Sequence, residues 1–129
     1  MRYFCKLFLV VVYLAVVSVA LAGSLERLNV SEVRSFLTTT QKPIVILDVR
    51  TPKEYAAGHI RGALLYDYYE EGFERKLSLL PKNATYVVYC AIGVRSLRAA
   101  QFLQKKDYNV IHMDGGIKEW KRLEYPVVK

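Results

Sequence analysis

Tyr86-Val87-Val88-Tyr89-Cys90-Ala91-Ile92-Gly93-Val94-Arg95-Ser96 joins an apolar run, a cysteine and a short loop containing glycine. The run Tyr86–Tyr89 is β-rich and does not alternate polar with apolar residues, the pattern of a strand covered on both faces. The segment that follows, Ser96–Lys106, carries Leu97, Ala100 and Leu103 or Phe102 at helical spacing. A strand that empties through a tight loop into a helix is the repeating unit of an α/β sheet, and Cys90 sits at the joint.

The same unit recurs to both sides. Pro43 opens a second buried run, Ile44–Leu47, followed by Asp48-Val49-Arg50. Thr51-Pro52 then offers a cap and a first-turn proline for a short helix, Lys53–Ala57, which Gly58 ends. Leu25–Val30 reads as a first strand, with Ser31 capping a helix through Leu37. Ala63–Tyr66 is a further strand. Glu70–Leu80 is a helix with Phe73, Leu77 and Leu80 on one face, stopped by Pro81. Val110–His112 is the last strand, Asp114-Gly115-Gly116 a turn, and Ile117–Arg122 a final helix. The alternation predicts an α/β domain with a mostly parallel central sheet and helices on both faces. Ligands of such sheets bind beyond the carboxyl ends of the strands, where Cys90 falls.

With 129 residues the chain has room for one such domain. Of the first 22 residues, 19 are hydrophobic, and Arg2 and Lys6 precede the apolar run while no acid interrupts it. The small residues Ala20 and Ala22 complete the layout of an export signal, so residues 1–22 are expected to be a cleaved leader and 23–129 the domain. An uncleaved anchor over residues 7–25 is the alternative, because that stretch is about as long as a membrane span. Both readings export the domain, to the periplasm or beyond in a bacterium. Without the leader the formal charge falls from +7 to +5 and the cysteines from two to one. Two cysteines and two histidines exclude a disulfide framework or a four-ligand zinc cluster.

The lone thiol therefore asks for a chemical explanation. A loop folded back over Cys90 would aim successive backbone N–H groups at the sulfur, with Gly93 supplying a positive φ. A helix starting near Ser96 adds the positive end of its dipole. Each feature favours a thiolate, so Cys90 is expected to be a nucleophile in an anion site lined by Ala91, Ile92, Gly93, Val94 and Arg95. Asp48 and Arg50 end a strand at the same sheet edge, where they either help to order this loop or form an internal ion pair. Ser96 supports the loop from the helix side. Glu54 is read as a local cap or ion-pair partner, and His112, in an apolar strand, as a satisfied core residue.

Three motifs resemble the rhodanese-like domain family. Asp48-Val49-Arg50, Glu54-Tyr55 and Gly58-His59-Ile60-Arg61-Gly62-Ala63 look like its amino-terminal signature. Tyr89–Ser96 is similar to its active-site loop, and Asp114-Gly115-Gly116-Ile117 with Trp120 to its carboxyl-terminal signature. The resemblance spans about residues 25–126 and implies a thiosulfate sulfurtransferase without metal or cofactor. Cys90 would take the outer sulfur of a small anionic donor such as thiosulfate. The resulting persulfide would pass that sulfur to cyanide, a thiol or a protein acceptor. His59 becomes a structural histidine. One departure stands out: many relatives carry arginine directly after the cysteine, where this chain has Ala91, and Arg95 is the residue placed to compensate.

A persulfide carrier that works only with other proteins needs the same cysteine and is the alternative. Cysteine phosphatases, and arsenate reductases with them, are disfavoured. Phosphatase loops place five residues between cysteine and arginine, whereas four separate Cys90 from Arg95. The basic runs Lys105-Lys106 and Lys118 with Lys121-Arg122 lack interleaved aromatics, so they read as solvated faces and not as a nucleic-acid site. A membrane is a partner only if the leader stays attached.

Overall fold

The computed structural model describes residues 22–129. The leader expected over residues 1–22 lies outside them save for Ala22. The anchor expected over residues 7–25 lies outside them up to residue 21, while its last two residues, Ser24 and Leu25, belong to the first strand of the sheet. Among the described residues no helix is long and apolar enough to cross a membrane.

The elements follow the chain as β1 (Ser24–Asn29), α1 (Val30–Thr39), β2 (Ile44–Asp48), α2 (Pro52–Ala57) and β3 (Leu64–Leu65). Then come α3 (Phe73–Ser78), β4 (Thr85–Tyr89), α4 (Val94–Lys105), β5 (Asn109–Asp114) and α5 (Gly116–Arg122). The five strands form one sheet in the order β1-β5-β4-β2-β3, and every pairing is parallel. The expected α/β sheet is present, and it is parallel throughout.

Strand parity sorts the core into two layers, because successive side chains leave opposite faces. On one face Tyr86, Val88 and Cys90 of the β4 segment pack with Leu47, Val110 and the inner sides of α3 and α4. On the other, Val87 and Tyr89 pack with Ile111, Met113, Val33 of α1, and Ile117 and Trp120 of α5. Both faces are therefore covered, which is why β2 and β4 read as continuous apolar runs.

Several boundaries differ from the sequence expectation, among them that Val30 opens α1 instead of ending β1 and that Asp114 ends β5 instead of opening the turn. Asn29, not Ser31, caps α1: its side chain accepts from the Glu32 N–H while the Asn29 N–H donates to the Glu32 carboxylate. Helix α3 is confined to Phe73–Ser78, since Gly72 adopts a left-handed conformation and leaves Glu70 and Glu71 outside. Strand β3 keeps only Leu64 and Leu65, at the sheet edge. Helix α4 begins at Val94, two residues before Ser96, so Arg95 and Ser96 belong to its first turn. This last shift tightens the loop after Cys90.

Candidate active site

Cys90 follows the last residue of β4, beside the carboxyl ends of β2 and β5. It is 1% exposed. The Gly93 N–H donates to Cys90 Sγ at 3.1 Å, and the Ser96 hydroxyl lies 3.2 Å from the same sulfur. Gly93 holds φ +110° and stands at the N-cap of α4 with no side-chain cap, leaving the first-turn N–H groups available to the sulfur. Burial alone would push the thiol up. The Ser96 hydroxyl and the N–H groups of Ser96, Gly93 and Ile92 outweigh it and hold Cys90 below the ordinary thiol value.

The back of the loop is held by α5. The Ile117 N–H donates to the Cys90 carbonyl at 2.9 Å and the Lys118 N–H to the Ala91 carbonyl at 3.1 Å. This close approach explains Gly116. A Cβ there would stand 2.3 Å from the Ala91 carbonyl oxygen and 2.7 Å from that of Cys90. The Asp114-Gly115-Gly116 turn thus positions the reactive loop as well as packing the last helix.

Arg95 does not line an anion site with a free charge. Its guanidinium grips Glu54 with two bonds of 2.9 and 3.0 Å, and its Cζ lies 5.7 Å from the Tyr69 ring centre. Glu54 also closes the capping box of α2 with Thr51. The hydrogen bonds from Arg95 lower the Glu54 carboxyl to about 2. The Arg95 charge expected to compensate for Ala91 is thus shared: Glu54 binds it directly, and it still acts electrostatically on the Cys90 sulfur. The loop's rim is apolar instead, with Ile92 60% and Val94 56% exposed.

Asp48 and Arg50 form the internal ion pair. Arg50 Nη2 meets Asp48 Oδ2 at 2.7 Å and the Gly58 carbonyl at 2.7 Å, and both residues are buried. Asp48 is paired in register with Tyr89, whose hydroxyl donates to Asp48 Oδ2 at 2.7 Å and accepts from the Ile60 N–H. By parity these side chains leave the sheet on the face opposite Cys90, so the pair orders Gly58–Ile60 and not the loop. His59 is structural, stacked on Tyr55 with its Nδ1 3.0 Å from the Tyr55 carbonyl oxygen.

One residue near the sulfur escaped the sequence reading. His112 is buried, as expected, yet its Nε2 lies 2.7 Å from Ser96 Oγ, and its Nδ1 lies 2.8 Å from Asp114 Oδ1. Asp114 in turn accepts from Arg27 of β1. The sequence signal was the spacing His112-x-Asp114, which puts both side chains on one face of a strand.

Comparison with known proteins agrees with this geometry. The rhodanese-like domain family matches residues 30–123. The chain belongs to the rhodanese-like domain family. It is 35% identical to a sulfurtransferase of Allochromatium vinosum over 66% of this chain and 78% of that protein. It is 39% identical to a thiosulfate sulfurtransferase of Pseudomonas entomophila over 64% of this chain and 73% of the relative. Against the crystal structure of a rhodanese-related protein from Thermoplasma volcanium it is 29% identical, with a TM-score of 0.71 over 80% of this chain and 97% of the other. Some curated relatives are far larger, and the chain spans about a quarter of their length.

Proposed function

We propose that the chain is a sulfurtransferase that carries sulfur on Cys90. The observation that supports this most directly is a buried sulfur facing the Gly93 N–H and the first turn of α4, in a chain of the rhodanese-like family. The Cys90 thiolate attacks the outer sulfur of a thiosulfate-like donor. A sulfur–sulfur bond forms, and sulfite leaves with the electron pair of the bond that breaks. Sulfite departs as a stable anion and needs no acid to protonate it. The backbone N–H groups that face the thiolate then serve the persulfide anion. An acceptor thiol, cyanide or protein cysteine takes the outer sulfur in a second half-reaction, which gives ping-pong kinetics.

A protein acceptor or donor is favoured by the rim. Ile92 and Val94 present apolar surface beside the sulfur, while the only arginine of the loop is engaged by Glu54. Thiosulfate is then the laboratory donor, and a protein persulfide or thiol the natural exchange partner. The apolar, basic-led segment 1–22 supports export of the domain, which fractionation of expressing cells would check.

Incubation with thiosulfate followed by intact mass measurement tests the chemistry. Gain of one sulfur, absent from Cys90→Ser and removed by cyanide, is the expected result. A wild-type protein that gains no sulfur from thiosulfate or from a protein persulfide would overturn the reading.

A further inference from the structure

Ser96 has one hydroxyl proton and two neighbours that can accept it, Cys90 Sγ at 3.2 Å and His112 Nε2 at 2.7 Å. The orientation of this proton follows from the far side of the imidazole. Asp114 is a carboxylate that already accepts from Arg27, so it can only accept from His112 Nδ1, and Nδ1 must carry a hydrogen. A neutral His112 then has a bare Nε2, which takes the Ser96 proton. Ser96 Oγ is left with lone pairs alone to offer Cys90, and these suit a thiol S–H. The buried row therefore reads Cys90 S–H to Ser96 O–H to His112 Nε2, with Nδ1–H anchored on Asp114.

We propose that His112, acting through the Ser96 hydroxyl, receives the proton of Cys90. The inference rests on Cys90 being the nucleophile. Before the sulfur attacks, its proton moves to Ser96 Oγ and the Ser96 proton moves to His112 Nε2, so the serine ends unchanged, the sulfur ends as a thiolate and the imidazole ends as a cation. Ser96 now donates to the sulfur, which is the arrangement that stabilises a thiolate. No oxidant or reductant takes part; the proton passes from the imidazole to solvent.

The groups around the imidazole suit this task. Arg27 of β1 stands in register with His112 and reaches Asp114. Val88 is its partner on β4, so that strand brings no charge against it except Cys90 at its end. From α4, Ser96 touches the ring and Arg98 lines the cavity of about 550 Å³ on which His112, Asp114 and Arg27 also border. Burial and the nearby Arg27 charge lower the His112 pKa, against the opposing pull of Asp114, which favours the neutral, accepting ring. The cavity gives the proton a path to water. His112 is a positioning residue in that it meets the reacting sulfur only through Ser96.

The test compares alkylation of Cys90 by iodoacetamide in wild type and His112→Leu from pH 6 to pH 10. Alkylation needs no sulfur donor, so it stays informative even if sulfur transfer fails, and persulfide formation measured in parallel judges that reading separately. The variant is expected to react at least about tenfold more slowly near pH 7 and to converge on wild type once the thiol ionises unaided. A ratio independent of pH would overturn the proposal. So would a variant equal to or faster than wild type at pH 7, the result expected if Ser96 simply donates to the sulfur and His112 competes for its proton. Should the variant fail to fold, nitrogen-15 NMR of the wild-type imidazole decides. Protonated Nδ1 with bare Nε2 in the neutral ring is required, and the opposite tautomer would refute the relay.

Discussion

Gly116→Ala tests whether α5 holds the reactive loop. The added methyl would lie 2.3 Å from the Ala91 carbonyl oxygen and 2.5 Å from its carbon, both backbone atoms that no rotamer change can move. Relief to ordinary contact requires a displacement of about 1 Å between the loop and the start of α5. The left-handed φ of +64° adds about 1 kcal/mol for a residue with a Cβ. The bonds from Ile117 and Lys118 to the Cys90 and Ala91 carbonyls would be lost or stretched, at about 1 kcal/mol each. The total, about 3 kcal/mol, lowers the urea midpoint by about 1–3 M. Displacement of the sulfur's N–H donors by about 1 Å should also slow thiosulfate:cyanide turnover about a hundredfold. Gly62→Ala is the control, because Gly62 has φ +83° but nothing within 4 Å of the added methyl. It should lose about 1 kcal/mol and keep its activity. If Gly116→Ala matches Gly62→Ala in both midpoint and turnover, the close approach does not position the loop.

Further outcomes follow from the ion pairs and the loop. Asp48→Asn leaves Arg50 buried without its counter-charge and should destabilise by about 3–5 kcal/mol, while Cys90 alkylation at low temperature stays near wild type. Thermal melts and the alkylation rate check the two halves. Glu54→Gln should lose about 1 kcal/mol at neutral pH, since the pair with Arg95 is partly exposed. The Glu54 pKa is depressed on folding, so its contribution is present above the unfolded carboxyl value and disappears as pH falls toward about 2. Melts of wild type and Glu54→Gln should therefore converge between about pH 4.5 and pH 2. The same variant frees Arg95 and should lower the thiosulfate KM, as should Ala91→Arg, each by about threefold to tenfold in initial-rate assays.

The central strands were legible because burial on both faces leaves an unbroken apolar run, as in Ile44–Leu47 and Tyr86–Tyr89. The Cys90 loop was legible for a related reason: a strand, a glycine and a helix are each encoded locally. Helix starts were less so. Val94 is β-branched and gave no starting signal, so Arg95 and Ser96 were read as loop and as first helical residue, not as first-turn neighbours of the sulfur. Asn29 and Glu32 did spell a capping box, but nearby Ser31 offered an equally good cap residue. The tertiary partners left no local trace. Arg95 finds Glu54 41 residues away, and His112 finds Ser96 16 residues away. A lone histidine in an apolar strand resembles core filling until the helix that lies across it is in place.

Tyr89 and Cys90 are adjacent in sequence, yet they serve opposite sides of the sheet. Tyr89 belongs to the buried Asp48–Arg50 cluster, and Cys90 to the reactive loop. Side chains along β4 can therefore be exchanged one at a time, but the number of residues in the strand cannot change. Insertion or deletion of a single residue would turn the thiol toward the Asp48–Arg50 cluster and the tyrosine toward the substrate. Length variation in this domain should accordingly be confined to surface connections such as Glu70–Gly72 and Lys82–Ala84, leaving the interval from Thr85 to Ser96 as a fixed ruler.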